Sequence, residues 1–504
     1  MTAAGEPRFV ALSSAAGRIV ITTTVLGTAV AMLTATVVNV ALPSIASDLG
    51  ASSAEQQWVV NAYLLTIASL ILIGGSLGDR YGRVRVYRIG VIWFAAASLV
   101  SAVAPTIEVL IAARLLQGIG GALLTPGSLA IIEATIQKSD RGRGVGLWSG
   151  LTGIAAAAGP LIGGALVELS WRWVFLVNLP VALAVVILAP RLPESKDESA
   201  LESPLDLAGA VLAAVALGGI TFGLIQGPEG GVSIVDTAAV LIGVMALAVL
   251  VRVERRADEP MVPFRLFASR PFAASNLITL LVYGGMGIVF FLLSIQLQVT
   301  SGWSALEAGA ALLPATILLL LFSAKSGELA QTVGPRIPLT VGPILIAGGM
   351  LLLSRIGPDA TYLGDVLPAV VVFGLGLVVS VAPVTATALG SVPENRSGAA
   401  SGANNAIART GQLLAVAAVP PLVGLTGDAL SRPAELDAGF PNAMFVGATL
   451  VAAGGIVAAF TLRSGDLAVD EEAETEAEPV SHYPSCSLDG THPRPVRDPA
   501  RDVV

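Results

Sequence analysis

Histidine is missing from almost the whole of this 504-residue chain, since its two copies, His482 and His492, fall within the last 25 residues. The long hydrophobic body therefore has no imidazole for general-base catalysis or metal ligation, which argues against an enzyme. Cysteine occurs once, at Cys486, which excludes a disulfide framework within the chain and a multi-cysteine metal cluster. The three tail residues His482, Cys486 and His492 are irregularly spaced and make no metal site. Charge is scarce. Asp, Glu, Lys and Arg together supply 13% of residues against 54% hydrophobic, where a water-soluble chain carries about 25% charged. The net charge of -8 excludes a strongly basic nucleic-acid surface. Lysine appears only at Lys138, Lys196 and Lys325, a bias that fits a GC-rich bacterial genome.

What is present is apolar length. A membrane-crossing helix needs about 20 apolar residues. Fourteen such windows lie near 17–41, 56–77, 87–104, 107–133, 144–168, 173–191, 207–226, 234–253, 272–296, 306–328, 337–355, 364–387, 398–423 and 442–462. The first run is too long for a cleaved signal peptide and has Arg18 inside its start. With a cytoplasmic N-terminus, the inner segments hold Arg80, Arg83, Arg85, Arg88, Lys138, Arg141, Arg143 and the arginines from Arg252 to Arg270. The outer segments hold only Arg172, Arg355 and Arg432. That asymmetry places both termini in the cytoplasm of a bacterial cell, with the chain multi-pass in the inner membrane. Tryptophans 58, 148, 171, 173 and 303 fall near predicted span ends, where an amphipathic ring suits the headgroup region. From Arg463 onward ten acids meet four bases and prolines follow, so residues 463–504 read as a disordered acidic tail.

The segment Gly75-Ser76-Leu77-Gly78-Asp79-Arg80-Tyr81-Gly82-Arg83 follows the second span, and Gly327, Leu329 and Gly334 follow the tenth at the same spacing as Gly75, Leu77 and Gly82. Two six-helix halves (17–191 and 272–462) with an inserted pair (207–253) explain both the repeat and the total of fourteen. Arg114-Leu115-Leu116-Gln117-Gly118 lies inside the fourth span, where an arginine is costly unless it meets a polar cavity or partner, and Gln117 shares its face. Gly159-Pro160-Leu161-Ile162-Gly163-Gly164 lies in the fifth, where proline removes a backbone bond and glycines permit close packing. Trp171-Arg172-Trp173 through Asn178-Leu179-Pro180 opens the sixth, and Asn39-Val40-Ala41-Leu42-Pro43 closes the first.

Over about residues 17–462 this pattern resembles the major facilitator superfamily, in its fourteen-helix drug:proton antiporter branch. The resemblance implies an all-helical integral membrane fold, two pseudo-symmetric six-helix bundles plus an inserted pair, and alternating access around a midplane site. It also implies roles. Gly75, Asp79, Arg80, Gly82 and Arg83 would form a cytoplasmic latch, with Val84 departing from the family's usual base. Gly159, Pro160, Gly163 and Gly164 would form the helix-5 antiporter motif and hinge, with Ala155 where glycine is frequent. Arg114 and Gln117, with Glu133 and Glu168, are the proton-coupling candidates.

One departure bears on mechanism. The branch carries an aspartate five residues before the asparagine that closes the first span, and here that position is Thr34. A hydroxyl can neither shuttle a proton as a carboxylate does nor answer a cationic drug. The chain thus reads as a proton-driven exporter of hydrophobic or amphiphilic small molecules such as drugs, dyes or natural products, with a role in antibiotic resistance. The alternative is a proton-independent facilitator or lipid-like transporter. Candidates for the substrate cavity are Thr34, Asn39, Asn61, Tyr63, Met286, Phe290, Asn404, Asn405 and Arg409. The expected partners are substrate, protons and lipid, with the chain a monomer. No ATP-binding loop occurs, so no cofactor is expected and a proton gradient is the energy source.

Overall fold

A computed structural model describes residues 9–196, 205–228, 233–257, 264–393 and 396–463. Among them the chain is helical apart from an isolated parallel bridge between Val10 and Ile136. The helices are α1 (Ala15–Leu49), α2 (Ser53–Tyr81), α3 (Arg83–Ala102), α4 (Ile107–Thr135), α5 (Lys138–Val167), α6 (Trp173–Leu176), α7 (Asn178–Leu188) and α8 (Leu207–Gln226). They continue as α9 (Ile234–Glu254), α10 (Arg270–Ile295), α11 (Ala305–Ala310), α12 (Leu313–Val333), α13 (Arg336–Leu353), α14 (Leu367–Gly390), α15 (Ser397–Leu422) and α16 (Pro433–Thr461). Their starts follow from local chemistry. Ser52 with Glu55, Ser233 with Asp236 and Ser304 with Glu307 each form a capping box that satisfies the first free backbone donors.

Every one of the fourteen expected windows falls on helix, and thirteen stretches are long and apolar enough to cross a membrane. The exception is α15, which carries Ser401, Asn404, Asn405, Arg409, Thr410 and Gln412 along its length. Two boundaries move. Helix α16 begins at Pro433 rather than near 442 and runs through Pro441. Helix α5 begins at Lys138 rather than near 144. Trp148 therefore sits inside α5 and donates Nε1–H to Thr28 Oγ at 3.3 Å, so it is no span-end anchor. The expected disorder of the tail lies, from residue 464 on, outside the described residues.

The order of packing recurs along the chain. Helix α1 lies along α5 as α10 lies along α15, and α4 packs on α2 and α3 as α14 packs on α12 and α13. Helix α8 packs on α2 and on α15, while α9 rests on α8. The loops after α2 and α12 also match in backbone, because Gly82 and Gly334 both close their helix at positive φ, +105° and +79°. That conformation is open to glycine and strained for other residues.

The two ends of the molecule differ. At the end away from the arginine-rich loops, α1, α5 and α6 share one apolar cluster with α10, α11 and α16, including Leu42, Ile45, Trp171, Phe175, Phe291 and Phe440. Polar contacts stitch the same end, with Gln298 Nε2 donating to the Val40 carbonyl (3.0 Å) and the Leu430 amide to Ser53 Oγ (3.1 Å). The apolar cluster continues down the second helix set to Ala274, Leu339 and Leu462 at the arginine-rich end, but there it no longer joins the first helix set's core. One cluster gathers Val84, Tyr87, Ile131 and Ile132, and a separate one gathers Leu266, Phe272, Ala388, Ala400 and Ala403. There one face of α5 is open, while Gly144 on another face still meets Ile132 of α4 and Ile21 of α1. A Cβ placed on Gly142, Gly146, Gly150 or Gly153 would meet nothing within 4 Å.

Candidate functional site

The largest fully buried side chain is Arg114, 1% exposed. Burying an unpaired guanidinium costs several kcal/mol, so the surroundings must answer its donors. Its Nε donates to the Val59 carbonyl of α2 (2.9 Å) and its Nη1 to Gln117 Oε1 (2.5 Å). The guanidinium carbon lies 4.4 Å from the centre of the Tyr63 ring, a cation–π contact of about 2 kcal/mol when desolvated. Tyr63 in turn donates its hydroxyl to the Ala31 carbonyl (3.0 Å). Among the described residues no carboxylate pairs with Arg114.

From Gln117 the bonds run on through three more helices. Gln117 Nε2 donates to Ser98 Oγ of α3 (2.7 Å), and Asn178 Nδ2 of α7 donates to the same oxygen (3.2 Å). Thr34 Oγ of α1 donates to Asn178 Oδ1 (3.1 Å). The residue standing where the family's carboxylate is expected is therefore tied, through an amide, a hydroxyl and a second amide, to the buried arginine. Neither Asn178 nor Gln117 titrates, so this chain orients Arg114 rather than passing protons to it.

The other proton-coupling candidates lie elsewhere. Glu133 is exposed near the far end of α4, nineteen residues and about 28 Å of helix from Arg114. Glu168 is also exposed, and its Oε1 accepts the Leu306 amide (3.4 Å), joining the end of α5 to the start of α11. It closes the sealed end and has no contact with Arg114.

The loop after α2 brings Asp79 and Arg83 together at 2.8 Å. The start of α3 is capped from a distance, by Glu194, whose carboxylate accepts the amides of Val84 (2.9 Å) and Arg85 (3.0 Å). A Cβ on Gly82 would lie 2.9 Å from that carboxylate, so glycine serves here in both backbone angle and space. Gly75 borders Pro126 of α4, and Arg80 stacks 5.8 Å from the Tyr81 ring. Glu194 stands 110 residues down the chain from the amide it caps, and no local motif marks it.

In α5 the glycines serve close approach on two sides. A Cβ on Gly159 would strike Thr36 Oγ and one on Gly163 would strike Val37, both of α1, while one on Gly164 would meet the Ala305 carbonyl of α11 at 2.5 Å. Pro160 lacks the N–H that would bond the Ala156 carbonyl, and the Thr36 hydroxyl, shared between the Leu33 carbonyl (3.1 Å) and that carbonyl (3.3 Å), stands beside it. The expected hinge is thus an unbroken helix, held on both faces where the proline stands.

Of the nine cavity candidates, Thr34, Asn39, Asn61, Tyr63, Met286 and Asn404 are buried between helices in this state. Asn404 Nδ2 bonds Asn276 Oδ1 (3.1 Å) and Thr279 Oγ (3.0 Å) in α10. Asn61 is fully buried and neither of its amide atoms has a hydrogen-bond partner. Phe290 and Arg409 are half-buried and Asn405 is exposed. Asn405, Arg409 and Gln412, spaced four and three apart, form one polar stripe on α15. Arg409 Nη1 donates to Gln412 Oε1 (3.3 Å), and its Nη2 reaches Met32 Sδ of α1 (3.4 Å). Sequence reading missed Ser98, Asn178, Thr36 and Glu194. Only Asn178, quoted within the segment opening the sixth span, carried any signal.

Comparison with known proteins agrees with this geometry. The crystal structure of a D-xylose-proton symporter superposes with a TM-score of 0.64 at 14% identity, over 89% of this chain and 99% of the symporter, a likeness of fold. The puromycin resistance protein pur8 of Streptomyces alboniger is 35% identical over 77% of this chain and 78% of its own. The tetracenomycin C resistance and export protein of Streptomyces glaucescens is 33% identical over 79% and 74%. Residues 24–416 match the family profile described as the Major Facilitator Superfamily, and the chain belongs to that superfamily.

Proposed function

We propose that this protein exports hydrophobic or amphiphilic small molecules from the cytoplasm across a bacterial inner membrane, as a member of the fourteen-helix drug:proton branch. Membership in a transporter superfamily sets it apart from enzymes. The observation that carries the reading is the contrast between its ends. One end is sealed across the two helix sets, while toward the arginine-rich end the α1–α4 cluster is separate from the cluster of the second helix set and one face of α5 is open. With the arginine-rich end in the cytoplasm by the positive-inside rule, this is a cytoplasm-facing state of an alternating-access cycle. Bundles 17–191 and 272–462 rock about the midplane, with the pair 207–253 carried between them. Both termini are cytoplasmic and the chain works as a monomer. The names of relatives that confer resistance or export antibiotics support the direction of transport.

The energy source in this reading is the proton gradient, with Arg114 and Gln117 coupling proton movement to the rocking of the bundles. Thr34 favours a second reading. Its hydroxyl bonds Asn178, and neither group titrates, which is the arrangement of a facilitator without proton coupling. Efflux of a fluorescent amphiphile from loaded vesicles, with and without a protonophore, separates the two when the native chain is compared with Thr34→Asp. Proton-driven export predicts that the protonophore stops native efflux. Native efflux indifferent to the gradient, with dependence appearing only in Thr34→Asp, would replace the antiporter by a facilitator. No gradient-dependent or gradient-independent efflux of any amphiphile would refute both.

A further inference from the structure

The charges inside the helices are of one sign. Every Asp and Glu of the described helices lies within five residues of a helix end, whereas Arg114, Lys325 and Arg409 lie deeper. Arg114 is sealed and bonded on three sides. Arg409 is half-buried at the middle of α15, with thirteen residues of helix beyond it and twelve before. It stands between the two helix sets, since from α15 its Nη2 touches Met32 Sδ of α1. Its named partners are an amide and a thioether. Among the described residues no carboxylate pairs with it. The half-buried Met32 lies against the stripe of Asn405, Arg409 and Gln412, touching Arg409.

A midplane cation with no counter-charge meets ligands unequally. An anionic head supplies the missing charge and accepts the guanidinium donors in a charge-assisted bond. A cationic head adds repulsion in a low-dielectric setting, and this interior offers no carboxylate to offset it. We propose that the transported molecules are acidic amphiphiles, a carboxylate or comparable oxyanion on an apolar body, and that Arg409 receives the anionic head with Asn405 and Gln412 beside it. This rests on the exporter reading above and narrows its substrate class.

The test uses one dansyl-labelled alkyl chain ending in a carboxylate, a carboxamide or a trimethylammonium. Uptake is followed in everted vesicles, and binding to the purified full-length protein in nanodiscs by dansyl fluorescence. The native protein is expected to prefer carboxylate over carboxamide by about tenfold, the scale of a charge-assisted hydrogen bond, and to disfavour trimethylammonium. In Arg409→Gln the carboxylate-to-carboxamide ratio should fall to near one in both assays, while Arg409→Lys retains most of it. A trimethylammonium chain handled as well as the carboxylate, or a ratio unmoved by Arg409→Gln, would overturn the assignment even though transport itself persists. Carboxylate-selective binding lost in Arg409→Gln without uptake of any chain would uphold the site and strike down the exporter reading. Absence of both binding and uptake would defeat the two together.

Discussion

Two arginines stand inside this membrane protein, each with a glutamine three residues on, and they have opposite surroundings. In α4, Arg114 is 1% exposed and bonds Gln117 at 2.5 Å, with a carbonyl and a tyrosine face completing its shell. In α15, Arg409 is half-buried, its bond to Gln412 is 3.3 Å, and its far nitrogen rests on a thioether. The same residue pair at the same spacing is a closed knot in the first helix set and an open hand in the second. A motif in sequence states which groups share a face. The neighbours decide whether that face is satisfied or waiting.

The comparison breaks first at Arg114. Arg114→Leu should destabilise the protein by about 3 kcal/mol, because Gln117 Oε1 and the Val59 carbonyl lose their donor in a buried network. Arg409→Leu should change stability by under about 1 kcal/mol. Thermal unfolding of the two purified variants in one detergent reads both, and equal losses would erase the distinction between a closed and an open arginine.

The matched loops sharpen it next. Gly82→Ala should cost about 2 kcal/mol, combining a disfavoured positive φ with displacement of the Glu194 carboxylate. Gly334→Ala should cost about 1 kcal/mol for its backbone angle. If Glu194→Ala is made first, which removes the carboxylate beside Gly82, the cost of Gly82→Ala should fall to about 1 kcal/mol in the same unfolding assay. Smaller again is Thr36→Val, at about 1 kcal/mol for the bond to the Ala156 carbonyl. Pro160→Ala restores that carbonyl's own N–H, so the double variant should show less loss than the two singles summed. The smallest effect has the other sign. Asn61→Leu should stabilise by about 1 kcal/mol, since it removes two buried polar atoms that have no partner, visible as a raised unfolding temperature.

Much of the fold was legible because lipid imposes a coarse rule. Apolar length marks the spans, and arginine placement orders them. The pairing of Arg114 with Gln117 was legible too, since three residues along a helix always share a face. Its continuation through Ser98, Asn178 and Thr34 was not, because those residues come from three other helices and sequence spacing says nothing of which helices meet. Glu194 escaped for the same reason. For Thr34 and Asn404 the sequence marks an interior face, since an isolated polar residue in an apolar run does not distinguish cavity from helix contact. Here the Thr34 hydroxyl and the Asn404 NH2 donate across a helix interface, to Asn178 and to Asn276 and Thr279.

The clamp around Pro160 has a mechanical side. Helix α5 is gripped by α1 and α11 from Gly159 to Gly164, and beyond that grip Gly142, Gly146, Gly150 and Gly153 face open space while Gly144 and Trp148 lean on α4 and α1. A stiff arm that leans on its own helix set swings with that set, and the grip is its fulcrum. From Gly164 to Lys138 the arm is about 39 Å long at 1.5 Å per residue, so a tilt of roughly 10° at the grip sweeps its tip by about 7 Å. Small repacking at the sealed end is thereby enlarged into the width of a passage at the other, with no bend in the rod.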